Sequence, residues 1–258
     1  MPTSQPPPSG DRLPFEIRRQ PDDVTCGPTC LHAVYRYWGD DVPPDDLIRD
    51  VKRLDEGGTL GVLLANHALR KGYKVTIFTW NLQVFDPTWF QPGGPPLVDR
   101  LRARAKVRRA SKERQAIAAY VDFVGLGGKL ELAELEASLL RGFLKRGVPI
   151  MTGLSATFLY REPREVSETG APDDIGGEPQ GHFVVLTGYD ADRREVLVTD
   201  PMHPNPLSVI HTYPVRIERV IGAIFLGVLT FDANLIVIEP AEGESSPARR
   251  PSKVDFPL

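Results

Sequence analysis

The 258-residue sequence is 41% hydrophobic and 25% charged, the balance of an ordinary globular protein long enough to bury a full core. A formal net charge of −3 excludes a global electrostatic pull toward nucleic acid or anionic membrane. No run of 18 apolar residues is present, and the start Met1-Pro-Thr-Ser-Gln5 lacks the basic and apolar stretches of a secretory signal, so a cytoplasmic, reducing setting is expected.

Residues 1–12 are proline-rich and are expected to be disordered, as is the tail 241–258, which leaves 13–240 as one domain. After Cys26, the apolar residues Leu31, Val34, Tyr35 and Trp38 recur at helical spacing, and Gly39 ends that helix. Pro43-Pro44-Asp45-Asp46 opens a second helix, because proline fits a first turn and carboxylates suit the positive helix end. Gly57-Gly58-Thr59 is expected to break it. A third helix is predicted from about Leu60 to Lys71, followed by a strand over Tyr73–Trp80.

Residues 81–96 read as an irregular connection. The basic run from Arg100 to Arg109 lacks interleaved aromatics and reads as a solvated helix face, not a nucleic-acid site; the helical pattern continues through Ile117, Tyr120, Val121 and Val124. Another helix is predicted over roughly Leu132–Lys145, so 81–147 reads as a helical insert. Strands follow at Val148–Ser155, near 182–189, 195–200 and 208–214, then an apolar helical run over Ile217–Leu229 and a last strand at Leu235–Ile238. The polar loop 156–180 has the length of a functional lid or mobile segment. Helices first and an antiparallel sheet after give the α+β class.

The chemistry-bearing residues are few. Cys26 would open its helix, where the positive helix end favours a thiolate, and is the candidate nucleophile. Cys30, one turn deeper on an apolar helix, reads as core. Two thiols make no disulfide scaffold, further ligands are lacking nearby, and no metal site is expected. His182 begins an apolar strand and is the candidate base. Its competitors His32 and His67 fall within helices and His211 within a predicted strand, which leaves His203, in a loop past Asp200, as the serious rival. Asp200 would orient His182 through the other ring nitrogen, while Asp190 reads as the turn acid of the hairpin between the two strands. Gln20, six residues before Cys26, would donate to an oxyanion beside the Cys26 N–H.

Gln20…Cys26-Gly27-Pro28-Thr29-Cys30, with His182-Phe-Val-Val-Leu-Thr-Gly-Tyr189-Asp190 and Val198-Thr199-Asp200-Pro201, resembles the bacteriocin-processing cysteine peptidases and their stand-alone relatives, family thirty-nine in the papain-like clan. The resemblance covers about 14–80 and 148–240. It implies a papain-like fold, with a helical half bearing Cys26, an antiparallel half bearing His182 and Asp200, and the site in the cleft between. It implies Cys26 as nucleophile, His182 as base, Asp200 as orienting acid and Gln20 as oxyanion donor, with a peptide or protein substrate and no cofactor. The best-known members are domains of peptide-exporting transporters and cut leader peptides after a Gly-Gly pair. This sequence shows neither a membrane span nor a nucleotide-binding P-loop and is expected not to be such a transporter, so double-glycine specificity is not carried over. The expected activity is hydrolysis of a peptide or isopeptide amide through an acyl-thioester on Cys26. Acyl transfer or transpeptidation from the same thioester, and a non-catalytic peptide-binding module, are the alternatives.

Overall fold

The computed structural model describes residues 11–54 and 58–241. Most of the two termini expected to be disordered, and Gly57 of the expected helix break, lie outside the described residues.

Helix α1 (Cys26–Tyr37) buries Cys30, Leu31, Val34 and Tyr35, as its periodicity predicts. Gly39 follows at φ 87°, the left-handed conformation glycine supplies past a helix end. Helix α2 (Pro44–Asp50) starts as expected but ends before the glycine pair, because Val51 turns extended and is buried in the core. Helix α3 (Gly61–Arg70) and strand β2 (Lys74–Thr79) follow within a residue of their predicted bounds.

The basic run does not continue into one long helix. α4 (Leu97–Val107) stops and α5 (Ser111–Gly125) begins afresh. The break lets Arg108 Nε reach both oxygens of buried Glu113 at 2.6 and 2.7 Å, and Arg104 approaches the same carboxylate at 3.1 Å. Arg100, Arg102, Lys106 and Arg109 stay exposed, the solvated face the sequence predicts. α5 packs on α3, and strand β3 (Lys129–Glu131), absent from the sequence reading, pairs parallel with β2. The next helix, α6 (Ala137–Lys145), therefore starts later than predicted.

Strand β4 (Ile150–Ser155) runs into the short helix α7 (Ala156–Tyr160). The rest of the polar connection folds on itself through bridges of Glu165 with Pro172 and Glu178. Strands β5 (Gly181–Asp190), β6 (Glu195–Thr199) and β7 (Thr212–Arg216), helix α8 (Ile217–Leu226) and strand β8 (Asn234–Glu239) complete the chain. The sheet order is β3-β2-β8-β4-β5-β6-β7, antiparallel everywhere except at β2–β3, so it is mixed and not wholly antiparallel. Strand β1 (Asp11–Arg12), in a stretch expected to be disordered, pairs with the second half of β5. Helices beside this one sheet give the α+β class expected from the sequence. β5 is central and buried from His182 to Asp190, which suits its nearly unbroken apolar run.

A long-range cap joins the helices to the sheet. Asp232, just before β8, accepts the Gly61 N–H at the start of α3 at 2.9 Å, and Asn234 Nδ2 donates to the same oxygen at 3.2 Å. Burial pushes the Asp232 carboxyl up to about 6, against the opposing effect of those two donors. Its neighbours Phe231 and Ala233 both sit at positive φ, 71° and 47°, conformations costing about 1–3 kcal/mol each for side chains of this kind. That strained pair turns the carboxylate inward.

Gly153 of β4 leaves room for this carboxylate: a Cβ there would lie 2.6 Å from Asp232 Cβ and 3.0 Å from the Phe183 ring. Gly153→Ala is therefore expected to lower stability by about 1–3 kcal/mol through overpacking. Urea unfolding measures this, and an unchanged midpoint would show that the site can give way.

Candidate active site

Cys26 is the first residue of α1 and is half-buried. The preceding Thr25 makes no side-chain cap to the helix; its hydroxyl is turned back to Asp22 O at 3.1 Å. The Cys26 and Gly27 N–H groups at the positive end of α1 thus carry no cap from the Thr25 side chain. Two contacts hold the helix against β5. The Cys30 thiol, fully buried as expected of core, donates to Phe183 O at 3.2 Å. Gly27 allows the close approach: a Cβ there would stand 2.8 Å from Thr59 and 3.2 Å from the Phe183 ring.

His182, the second residue of β5, is buried, and its Nε2 is 2.8 Å from Asp200 Oδ1. Asp200 takes Nε2, which leaves Nδ1 as the ring nitrogen for Cys26, whose thiol is near enough to favour the imidazolium. Cys26, His182 and Asp200 are thus brought to one end of the sheet. The rival His203 lies exposed in the loop after Asp200, its ring 5.4 Å from that of His211. Asp190 is the turn acid expected: its Oδ1 accepts the N–H groups of Asp192 and Arg193 at 3.0 Å.

Asp200 follows β6 and is completely buried. Oδ1 accepts His182 Nε2 and the Met202 N–H, the latter at 2.9 Å. Oδ2 accepts the Tyr160 hydroxyl at 2.7 Å, the Tyr213 hydroxyl at 2.6 Å and Asn205 Nδ2 at 2.9 Å. Three of these donors escaped the sequence reading. Asn205 carries a local signal, a Pro-Asn-Pro turn just past Asp200. Tyr160 and Tyr213 carry none, because an aromatic in a helix or strand reads as core.

The electrostatics of the pair run in opposite directions. Burial acts to lower the His182 pKa, but the charge and hydrogen bond of Asp200, and those of Cys26, outweigh it and favour the imidazolium. Burial acts to raise the Asp200 carboxyl, but the His182 charge and hydrogen bond, with the Tyr213 and Tyr160 hydroxyls, hold it down to about 2.

Gln20 is brought to the same end of the sheet by its own backbone, whose N–H donates to Pro201 O, next to Asp200, at 2.9 Å. Its side chain is buried, and Nε2 donates to Asp22 O at 2.9 Å, which fixes the amide and leaves a second N–H hydrogen for another acceptor. In the folded connection after α7, the Glu165 carboxyl is pushed up by burial and by the charges of Glu162 and Asp23. Among the described residues no group of three or more His, Cys, Asp or Glu could hold a metal ion, and no helix is long and apolar enough to cross a membrane.

Residues 116–222 match the model described as the Peptidase_C39 like family, a stretch that contains His182 and Asp200 but not Cys26. This match supports the family resemblance read from the sequence. No curated protein matches. Among solved structures, a double glycine motif protease from an AMS/PCAT transporter in complex with the leader peptide is similar at 11% identity and a TM-score of 0.42, over 89% of this chain and 94% of that one. The peptidase domain of Streptococcus ComA, a bi-functional ABC transporter, is 13% identical with a TM-score of 0.42, over 88% and 99%. Xylellain, a cysteine protease from Xylella fastidiosa, is 16% identical with a TM-score of 0.43, over 90% and 85%.

Because Asp200 is held below the unfolded carboxylate value of about 3.9, its stabilising contribution is present above that pH and lost as pH falls toward 2. Between pH 5 and 2, wild type is expected to lose about 2–3 kcal/mol more stability than Asp200→Asn. Urea unfolding at each pH measures the two slopes, and equal slopes would mean that the carboxylate is not stabilised by these donors.

Proposed function

We propose that this chain is a papain-like cysteine peptidase that hydrolyses a peptide or isopeptide amide through an acyl-thioester on Cys26. The observation that carries the reading is the buried His182–Asp200 pair, 2.8 Å apart, with half-buried Cys26 beside it at a helix N-terminus.

In this mechanism the proton of the Cys26 thiol passes to His182 Nδ1, giving a thiolate beside an imidazolium whose other N–H is held by Asp200. The sulfur attacks the substrate carbonyl carbon. The carbonyl electron pair moves onto oxygen, where the Cys26 backbone N–H and the remaining N–H of Gln20 Nε2 would receive it. Collapse breaks the C–N bond, and His182 gives its proton to the leaving amine. Water then attacks the thioester, losing a proton to His182, and the released thiolate takes the pair back to its starting state. The peptide substrate, the reducing compartment suited to two unbridged thiols and the absence of a cofactor belong to this same reading.

Cys26→Ala is expected to abolish hydrolysis of a casein-derived peptide library, whereas Cys30→Ala retains it. Gln20→Ala should lower kcat by about 10²–10³ while iodoacetamide still titrates Cys26. In wild type, Cys26 is expected to react well ahead of buried Cys30 near pH 6, and His182→Ala should remove that reactivity. Peptide mass mapping separates the two thiols. A Cys26 that stays inert whatever stands at position 182 would sink the peptidase reading and leave a peptide-binding module in its place.

A further inference from the structure

We propose that Tyr160, Tyr213 and Asn205 are positioning residues for the thiol chemistry: by sharing the charge of Asp200, they set how tightly His182 holds the proton it must return to the leaving group. The inference rests on the peptidase reading above and extends the machinery beyond its four sequence-visible members.

The two oxygens of Asp200 are loaded differently. Oδ1 takes His182 and one backbone N–H, while Oδ2 is saturated by three neutral donors at 2.6 to 2.9 Å. The donors come from α7, from β7 and from the loop between β6 and β7, none of which carries Cys26 or His182. Both tyrosines are buried. Asn205 is held in one orientation, because its Oδ1 accepts the Leu207 N–H at 2.9 Å and so turns Nδ2 toward Asp200.

Groups facing the acid–base pair from the surrounding elements are Cys26 and Cys30 of α1, Tyr160 of α7, Tyr213 of β7, and His211, whose Nδ1 bonds Asp200 O at 2.7 Å. Among the described residues His182 is the only ion-pair partner of Asp200.

A fully buried carboxylate bonded to His182 alone would turn its whole charge on the imidazolium. Such an imidazole takes a proton readily and returns it poorly, which suits thiolate formation and hinders departure of the amine. A cation against Oδ2 would err the other way by withdrawing the charge that supports the imidazolium. Hydroxyl and amide donors draw off part of the charge without adding one. The tyrosines can act so at any working pH, since burial, then the Asp200 charge, push both phenols far up and keep them protonated.

The test uses the full chain with ¹⁵N-labelled histidine, the His182 signals being assigned with His182→Gln. Tyr213→Phe and Tyr160→Phe are each expected to raise the pH at which the His182 imidazolium deprotonates, by roughly half to one unit. The alkaline limb of peptide hydrolysis should move with it. In an Asp200→Asn background, where no charge remains to share, the same tyrosine changes should leave the titration in place. A merely structural tyrosine would lower the thermal midpoint without moving the titration, or shift it equally in both backgrounds, and either result overturns the proposal. Should a tyrosine variant not fold, Asn205→Ala carries the same comparison from a loop. The peptidase reading fails separately, on an inert wild-type Cys26.

Discussion

The burial of one carboxylate organises this molecule. An ionised acid taken wholly out of water costs several kcal/mol unless donors replace its hydration. Asp200 is fully buried and is met by five of them: an imidazole, a main-chain N–H, two phenols and an amide. Those donors come from β5, β7, α7 and the loop after β6, so ionising Asp200 in the interior requires all four pieces to be in place. The main chain reinforces the same point, with the Asp200 N–H donating to His211 O and Gln20 donating to Pro201 O. The acid proposed to orient the base is also the post around which this end of the sheet is assembled.

Cys26, the proposed nucleophile, is fixed by packing of a different kind. α1 lies against β5 with Gly27 close to Phe183 and the Cys30 thiol bonded to Phe183 O, one residue from His182. A helix held this near its strand cannot slide without moving Cys26 relative to His182. Cys30 therefore does more than fill space: it ties the helix to the strand that carries the base, and burial, first among its causes, pushes its thiol well up and keeps it out of the chemistry. Two cysteines one turn apart sit at different depths, Cys26 half-buried and Cys30 fully buried.

Much of this was legible in the sequence, and the limits have physical causes. The offset of Gln20 from Cys26, the strand begun by His182 and the strand ended by Asp200 are local patterns, and they named the four residues that the fold brings to one end of the sheet. Helix α1 and the central strands could be read because their apolar spacing matches their burial. The errors fall where a tertiary contact overrode local preference. The basic helix breaks near Arg108 because buried Glu113 draws Arg104 and Arg108 together, which no window of propensity contains. α2 ends early because Val51 is taken into the core, and β3 forms because β2 offers it an edge. β1 likewise gains its structure from β5 and not from its own proline-rich surroundings.

The donors of Asp200 are the deeper instance of the same rule. Tyr160 stands 40 residues from Asp200 in sequence and Tyr213 stands 13, and neither spacing carries meaning until the sheet is formed. In the proposed mechanism the motif supplies the reacting atoms, whereas the proton affinity of the base is set by side chains supplied from elsewhere in the fold. Two chains with the same glutamine, cysteine, histidine and aspartate could therefore differ in working pH range if their Asp200-equivalent carboxylates were solvated by different partners. In this chain the partners are neutral and both phenols are buried, so in the proposed arrangement the acid keeps its charge and spends only part of it on His182. On that reading, what distinguishes the candidate site is written in α7, in β7 and in the turn between β6 and β7, as much as in its glutamine, cysteine, histidine and aspartate.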